Sequence, residues 1–273
     1  MPTLRTSDGT ALFFTDQGAG SCVAFTHAWA LNSDQWQYIV AGLLDAGFRC
    51  VTYDRRGHGR SDRHGGGWDM DLLADDLGQL IDHLDLTDLT LVGHSMGCGE
   101  IVRYATRHGK RRMAHAVLLA PIMPLLVQAP DNPDGVDPAY LQASVDLLKR
   151  DVPQWCADNA PPYFGVHPHV SPGMTEWTMR QIVDTPVKTL VDTVIIGAKT
   201  DFRGELPGFD VRTLLIHGDA DASAPIDITG RKTAELLPDA RLIELHDVGH
   251  GLYVTHASQI VGEIRNFIGE LGG

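Results

Sequence analysis

Ser95, Asp221 and His250 are residue types that together can break an acyl bond. A serine hydroxyl is a poor nucleophile at neutral pH and needs an adjacent base. A histidine held in one tautomer by a carboxylate supplies that base. Ser95 stands in Leu89-Thr90-Leu91-Val92-Gly93-His94-Ser95-Met96-Gly97, an apolar run leading into Gly-x-Ser-x-Gly. Glu100, Ile101, Val102, Tyr104 and Ala105 follow at helical spacing. Strand, sharp turn and helix make a nucleophile elbow, with the serine exposed at the tip above a helix N-terminus. Glycine is expected at Gly93 and Gly97 because such a turn leaves no room for a Cβ.

The acid and the base are sought after the serine, at the ends of later strands. Asp219 and Asp221 lie in the turn His217-Gly218-Asp219-Ala220-Asp221, and His250 lies between Gly249 and Gly251 after the last strand. Carboxyl ends of adjacent parallel strands share one sheet edge, which brings the three groups together. Asp221 is preferred as the acid. Asp219 is expected to hold the turn through its own backbone, and Asp227 falls at the next helix start. His246 is expected to face the surface or a neighbour, and His256 to start a helix. Charge that develops on a carbonyl oxygen needs two backbone donors. Met96, which follows the serine, supplies one N–H; Trp29 in the loop His27-Ala28-Trp29-Ala30 is the choice for the second.

The elements that must position these groups are legible in order. Residues 3–16 read as a hairpin turning at Asp8-Gly9-Thr10. Strands follow at Ser21 to Thr26 and at Phe48 to Tyr53. Between them a helix begins at Ser33 or Asp34 and shows Trp36, Ile39, Val40 and Leu43 on one face. Met70 to Leu84 repeats leucine and isoleucine at helical spacing, and Ala116 to Ala120 is a strand. The rhythm breaks after Pro121. To about Asp210 the chain carries proline-rich loops and helical segments such as Tyr140 to Lys149 and Thr175 to Val183. It resumes with a strand at Val211 to Ile216, a helix from Ile228 to Leu237, a strand at Leu242 to Leu245 and a closing helix from about Ala257 to Leu271. Strand alternating with helix predicts crossover units and a parallel sheet. The expected organisation is an α/β core of residues 1–120 and 211–273 with a helical cap inserted at 121–210.

Composition bounds the partners. The chain has 273 residues, 22 basic and 35 acidic, for a formal charge of −13. That balance argues against nucleic acid and against anionic membrane. No apolar run is long enough for a membrane span, and the N-terminus lacks the apolar region of a signal peptide. Cys22, Cys50, Cys98 and Cys156 are far apart in sequence and read as small buried thiols of a cytoplasmic protein. No clustered ligands suggest a metal.

Taken together, the chain resembles the α/β-hydrolase family, and within it the cofactor-free haloperoxidase and arylesterase group. The resemblance rests on Phe25 to Trp29, Tyr53 to Asp62, Leu91 to Gly97, Thr200 to Arg203, Ile216 to Asp221 and Gly249 to Gly251. It implies a mostly parallel central sheet flanked by helices, a triad of Ser95, Asp221 and His250, donors at Trp29 and Met96, and a mainly architectural Asp54–Asp62 loop. It implies neither metal nor haem. Three positions depart from the pattern. Ala28 stands where the family usually has glycine, Cys98 where a third glycine is common, and Ala30 where members noted for perhydrolysis tend to carry proline. Ile122, Leu125, Leu126, Tyr163, Phe164 and Phe202 are expected to line an apolar acyl pocket. The expected activity is hydrolysis of small apolar esters or lactones through an acyl-enzyme, with perhydrolysis as a side reaction. Lactonase or γ-lactamase as the main activity, and a receptor on the same fold that has lost turnover, are the alternatives. A homo-oligomer is left open.

Overall fold

The computed structural model describes residues 2–165 and 170–270. Its described strands form one sheet in the order β1-β2-β4-β3-β5-β6-β7-β8. β1 (Thr3–Arg5) and β2 (Ala11–Gln17) make the hairpin; β2 also pairs antiparallel with β4 (Arg49–Tyr53). From there on the pairing is parallel, through β3 (Cys22–Thr26), β5 (Leu89–His94), β6 (Met113–Leu119), β7 (Thr213–Gly218) and β8 (Ala240–Leu245). β3, β5 and β7 are buried along their whole length, which is why they read as continuous apolar runs rather than alternating ones.

Helices cover both faces. α2 (Met70–His83) and α3 (Met96–His108) pack on one face, where Leu77, Leu80, Ile101 and Leu118 meet. The other face carries α1 (Gln37–Asp45) and the terminal pair α9 (Leu252–Thr255) and α10 (Ala257–Gly269), burying Ile39, Leu43, Ile260, Ile264 and Phe267. The chain enters α1 through a 3-10 turn, Ser33–Trp36. Its cap is Asn32, whose side chain accepts from Asp34 N at 2.8 Å, rather than Ser33 or Asp34. Ser33 instead donates to Asp54. α8 (Gly230–Leu236) lies between β7 and β8.

Between β6 and β7 runs a helical insert: α4 (Pro138–Arg150), α5 (Val152–Phe164), α6 (Pro172–Val183) and α7 (Val187–Lys199). α5 carries Pro161 and Pro162 in its last turn, and α7 absorbs the β-branched run Thr193-Val194-Ile195-Ile196. No helix among the described residues is long and apolar enough to cross a membrane.

Candidate active site

The turn after β5 places Ser95 at φ +56°, ψ −118°, a region that a side chain with a Cβ occupies only at a cost of roughly 1–3 kcal/mol. Its two glycines are required by contact. A Cβ on Gly93 would lie 2.8 Å from Cys98 N, and one on Gly97 would lie 2.4 Å from Thr26 O. Ser95 N donates to Leu119 O at 2.9 Å, which ties the turn to β6. Met96 opens α3, so its N–H has no acceptor within the helix and is free to serve as a donor at this spot.

Asp221 and His250 meet across the ends of β7 and β8. His250 Nδ1 donates to Asp221 Oδ2 at 2.6 Å. That leaves Nε2 as the ring nitrogen able to take a proton from a hydroxyl. Asp221 is 4% exposed and fully partnered. Oδ1 accepts from Ser223 N and Ala224 N, both at 2.8 Å. Oδ2 also accepts from His217 Nε2 at 3.1 Å. Burial alone would raise this carboxyl, but the two histidines outweigh it and hold it well below the usual carboxylate range. Asp219 does something else. Its carboxylate accepts from Asp247 N at 2.7 Å and from His246 Nδ1, so it fastens the loop that carries His250 rather than its own turn. His246 is exposed beside it, Asp227 is exposed and paired with Arg231, and His256 sits at the start of α10. Asp219, His246 and Asp247 also form the one group among the described residues that could supply three ligand atoms to a metal; all three are exposed.

The loop His27–Ala30 is braced from below. His27 Nδ1 donates to Ala28 O at 2.8 Å. The Ala28 carbonyl and the Trp29 N–H belong to one planar trans peptide, so fixing the carbonyl fixes the direction of the N–H. His27 Nε2 accepts from Arg55 N at 2.9 Å, and Arg55 is itself buried against Glu100 and donates to His27 O at 2.6 Å. Burial and the neighbouring Arg55 push His27 well below the usual histidine range, consistent with a neutral ring. The Asp54–Asp62 loop thus carries the bracing for the serine side of the site. The insert braces the loop from above: Trp29 Nε1 donates to Leu190 O at 3.0 Å and Thr185 Oγ1 to Ala30 O at 3.1 Å. Ala30 stands at φ +63°. Proline, fixed near φ −65°, cannot take that conformation.

Ser95, Met96, Trp29 and His250 open on one cavity of about 210 Å³. Its walls come mainly from the insert: Leu141 and Ser144 of α4, Trp155 and Asn159 of α5, Met179 and Ile182 of α6, Val194 and Ala198 of α7. Ala28, at a position where the family pattern usually has glycine, joins the lining. Of the residues expected to form the pocket, Ile122, Leu126 and Tyr163 line it and Leu125, Phe164 and Phe202 do not. Leu125 is buried, 5% exposed, outside the lining that its neighbour Leu126 joins. Phe164, one helical step from Tyr163, packs against Gly251, where a Cβ would come within 2.7 Å of its ring. Phe202 is 1% exposed, wedged against Gly99 and under the Arg103 guanidinium. Within its segment Phe202 alone is buried, as core rather than wall. Phe202→Ala is accordingly expected to cost about 3–5 kcal/mol and to lower Tm. The ratio of kcat/KM between acetyl and longer acyl esters should stay unchanged. A thermal melt alongside a two-ester assay checks this, and a reordered ratio would return Phe202 to the pocket.

Three residues of the site escape a sequence reading. His94, inside the elbow motif, donates from Nε2 to His250 O at 3.0 Å, and burial pushes it well below the usual histidine range. His217 sits four residues before Asp221 and binds it. Trp155 meets Trp29 edge-on at 5.1 Å between ring centres. The only advance signal was that His94 and His217 flank the triad candidates in sequence.

The α/β-hydrolase fold model matches residues 23–257. The chain is 40% identical over 255 residues to a non-heme chloroperoxidase of Kitasatospora aureofaciens, covering 92% of this chain and 93% of that one. It is 34% identical to a bifunctional esterase/perhydrolase of Acinetobacter calcoaceticus, with 98% and 99% covered. Among solved structures, a bromoperoxidase from Bacillus anthracis superposes with a TM-score of 0.91 at 32% identity, with 95% of each chain covered. The chain belongs to the α/β-hydrolase superfamily, in its non-heme haloperoxidase and perhydrolase group.

Proposed function

We propose that the protein is a serine carboxylic-ester hydrolase for small to medium, uncharged, apolar esters or lactones. The observation that carries this reading is His250, hydrogen-bonded to the buried Asp221, opening on the same apolar cavity as a serine held at positive φ. Ser95 Oγ attacks the ester carbonyl carbon while His250 Nε2 takes its proton. The carbonyl oxygen becomes an oxyanion held by the N–H groups of Trp29 and Met96. Collapse expels the alcohol, which leaves with the proton from His250. A water then repeats the sequence on the acyl-enzyme, with His250 as its base, and releases the acid. Each step is assigned to a side chain or backbone group of this chain, and no cofactor is invoked.

The substrate class follows from the walls. Among the described residues lining the cavity none is Lys, Arg, Asp or Glu. An anionic acyl group would lose its water there without a partner, which costs several kcal/mol. The insert, taken with its connections as a cap spanning 121–210, closes over the serine. Peroxide in place of water gives a peracid, and the esterase/perhydrolase of Acinetobacter supports that as a side reaction. Ala30 at φ +63° supports hydrolysis as the main one.

Assay against p-nitrophenyl acetate, butyrate, hexanoate and decanoate, and against the p-nitrophenyl half-ester of succinate, tests the proposal. Butyrate or hexanoate should give the highest kcat/KM, and the succinate half-ester should be lower by about 100-fold. A single stoichiometric release of p-nitrophenol without turnover would favour a receptor and overturn the reading. A lactone or lactam turned over much faster than any ester would move the assignment within the same chemistry.

A further inference from the structure

Gln35 is a buried amide, 0% exposed, in the 3-10 turn that leads into α1. Burying an amide costs free energy unless its donor and acceptor are both satisfied. Here both are, and by parts of the site that lie on different strands. Gln35 Oε1 accepts from Ala28 N at 3.0 Å, one residue before the oxyanion donor Trp29. Gln35 Nε2 donates to His94 Nδ1 at 2.9 Å. With Nδ1 accepting, His94 carries its proton on Nε2, and it donates that proton to the carbonyl of His250 at 3.0 Å. The His94 ring also lies 4.7 Å from the His250 ring, centre to centre.

We propose that Gln35 is a positioning residue for acyl transfer, whose one side-chain amide sets the oxyanion loop through Ala28 and the base through His94. The two groups it joins have to be in register with each other. The oxyanion donors must sit about 2.7–3.1 Å from where the oxygen will be, not from where it starts. The base must reach a serine hydroxyl on a third loop. The oxyanion loop leaves β3 and the base follows β8, at opposite sides of the elbow. His27 fixes the carbonyl side of the Ala28–Trp29 peptide, and Gln35 fixes the N–H on the other side of Ala28. With both held, the loop cannot rotate as a hinge about Ala28. His94 plays the matching part for the base. Without a donor on Nδ1 it is free to move its proton there and release the His250 carbonyl. The relay is neutral throughout, so it orients without adding charge to the site. This inference rests on the serine-hydrolase reading above.

The test compares Gln35→Met and Gln35→Glu with the wild type. Phenylboronic acid is the second probe, since its tetrahedral adduct on Ser95 places an oxygen where the oxyanion forms. Methionine fills the space and removes both hydrogen bonds. For Gln35→Met, kcat on p-nitrophenyl butyrate should fall about 10- to 100-fold per folded molecule. KM should stay within about threefold, and the boronic acid inhibition constant should rise in step with the fall in kcat. Glutamate keeps the acceptor toward Ala28 and loses the N–H toward His94. For Gln35→Glu the boronic acid constant should stay within about threefold of wild type while kcat falls by about fivefold or more. A lower Tm in either variant, with kcat per folded molecule and boronic acid affinity both unchanged, would mean that the amide only fills space and would overturn the proposal. If Gln35→Met does not fold, a Gln35→Glu enzyme with wild-type kcat overturns it alone. A wild type that neither turns over the ester nor binds the boronic acid overturns the serine-hydrolase reading, and the proposal with it.

Discussion

Ser95→Ala is expected to lower kcat/KM for p-nitrophenyl butyrate by about 10⁴-fold or more, with the fold intact. The loss is large because no other hydroxyl can take over the attack. Ser95 alone stands on the elbow, at φ +56°, with the His250 ring on the same cavity. Ser223 also lines the cavity, but its N–H is bound to Asp221 and it sits on the acid's loop. What remains in the variant should be the weak catalysis of an oxyanion site acting on bound ester and water. Stability should change little, because the fold's demand at this position is met by backbone. Ser95 N still reaches Leu119 O, and Cys98 N still reaches Ser95 O. The positive φ stays strained with alanine. A second variant, Ser95→Gly, separates the two roles of the position. It should be as inactive as Ser95→Ala but more heat-stable, because glycine adopts that φ freely. Purified Ser95→Ala with activity near wild type would sink the mechanism.

The parts of this molecule legible in the sequence are those fixed by local backbone rules. The elbow is one, because only glycine fits beside Cys98 N and Thr26 O. The central strands are another, because burial on both faces demands continuous apolar runs. So is the placement of Ser95, Asp221 and His250 after the parallel strands β5, β7 and β8. The insert was legible as an interruption and not as a set of walls. Pro161 and Pro162 stand in the last turn of α5, the helix that brings Trp155, Asn159 and Tyr163 to the cavity, and no local rule announces that helix. Thr193 to Ile196 reads as β-branched, yet packing against the core keeps it in α7. Phe202 was misplaced for a related reason: a large aromatic near a pocket and one under the floor beneath it have the same sequence signature. Gln35, His94 and His217 stayed hidden because their roles are set by long-range hydrogen bonds. Gln35 lies 59 residues from His94, and nothing local to either announces the other.

Asp221→Asn should be nearly as damaging as loss of the serine, for a reason the hydrogen bonds make specific. Oδ1 of Asp221 accepts from two backbone N–H groups, so an asparagine would keep its carbonyl oxygen there. Its NH₂ group then falls where Oδ2 was. That position now accepts from two histidines, His250 Nδ1 and His217 Nε2. An amide nitrogen can accept from neither. The imidazole of His250 would relieve the clash by moving its proton to Nε2, and in that tautomer it cannot take the proton of Ser95. The same tautomer error in a serine protease costs about 10⁴-fold in kcat, and a loss of that order is expected here. KM should change much less, since Asp221 is not part of the cavity wall. Asp219→Asn is the control. Asp219 is two residues away and carries the same charge, but its partners are the exposed His246 and the Asp247 backbone. It should keep kcat near the wild-type value and act, if at all, on the heat stability of the loop that carries His250. Steady-state kinetics on both variants decides the matter. If Asp219→Asn is inactive and Asp221→Asn is active, the base takes its orientation from the other carboxylate, and the hydrogen bonds described for Asp221 hold structure rather than chemistry.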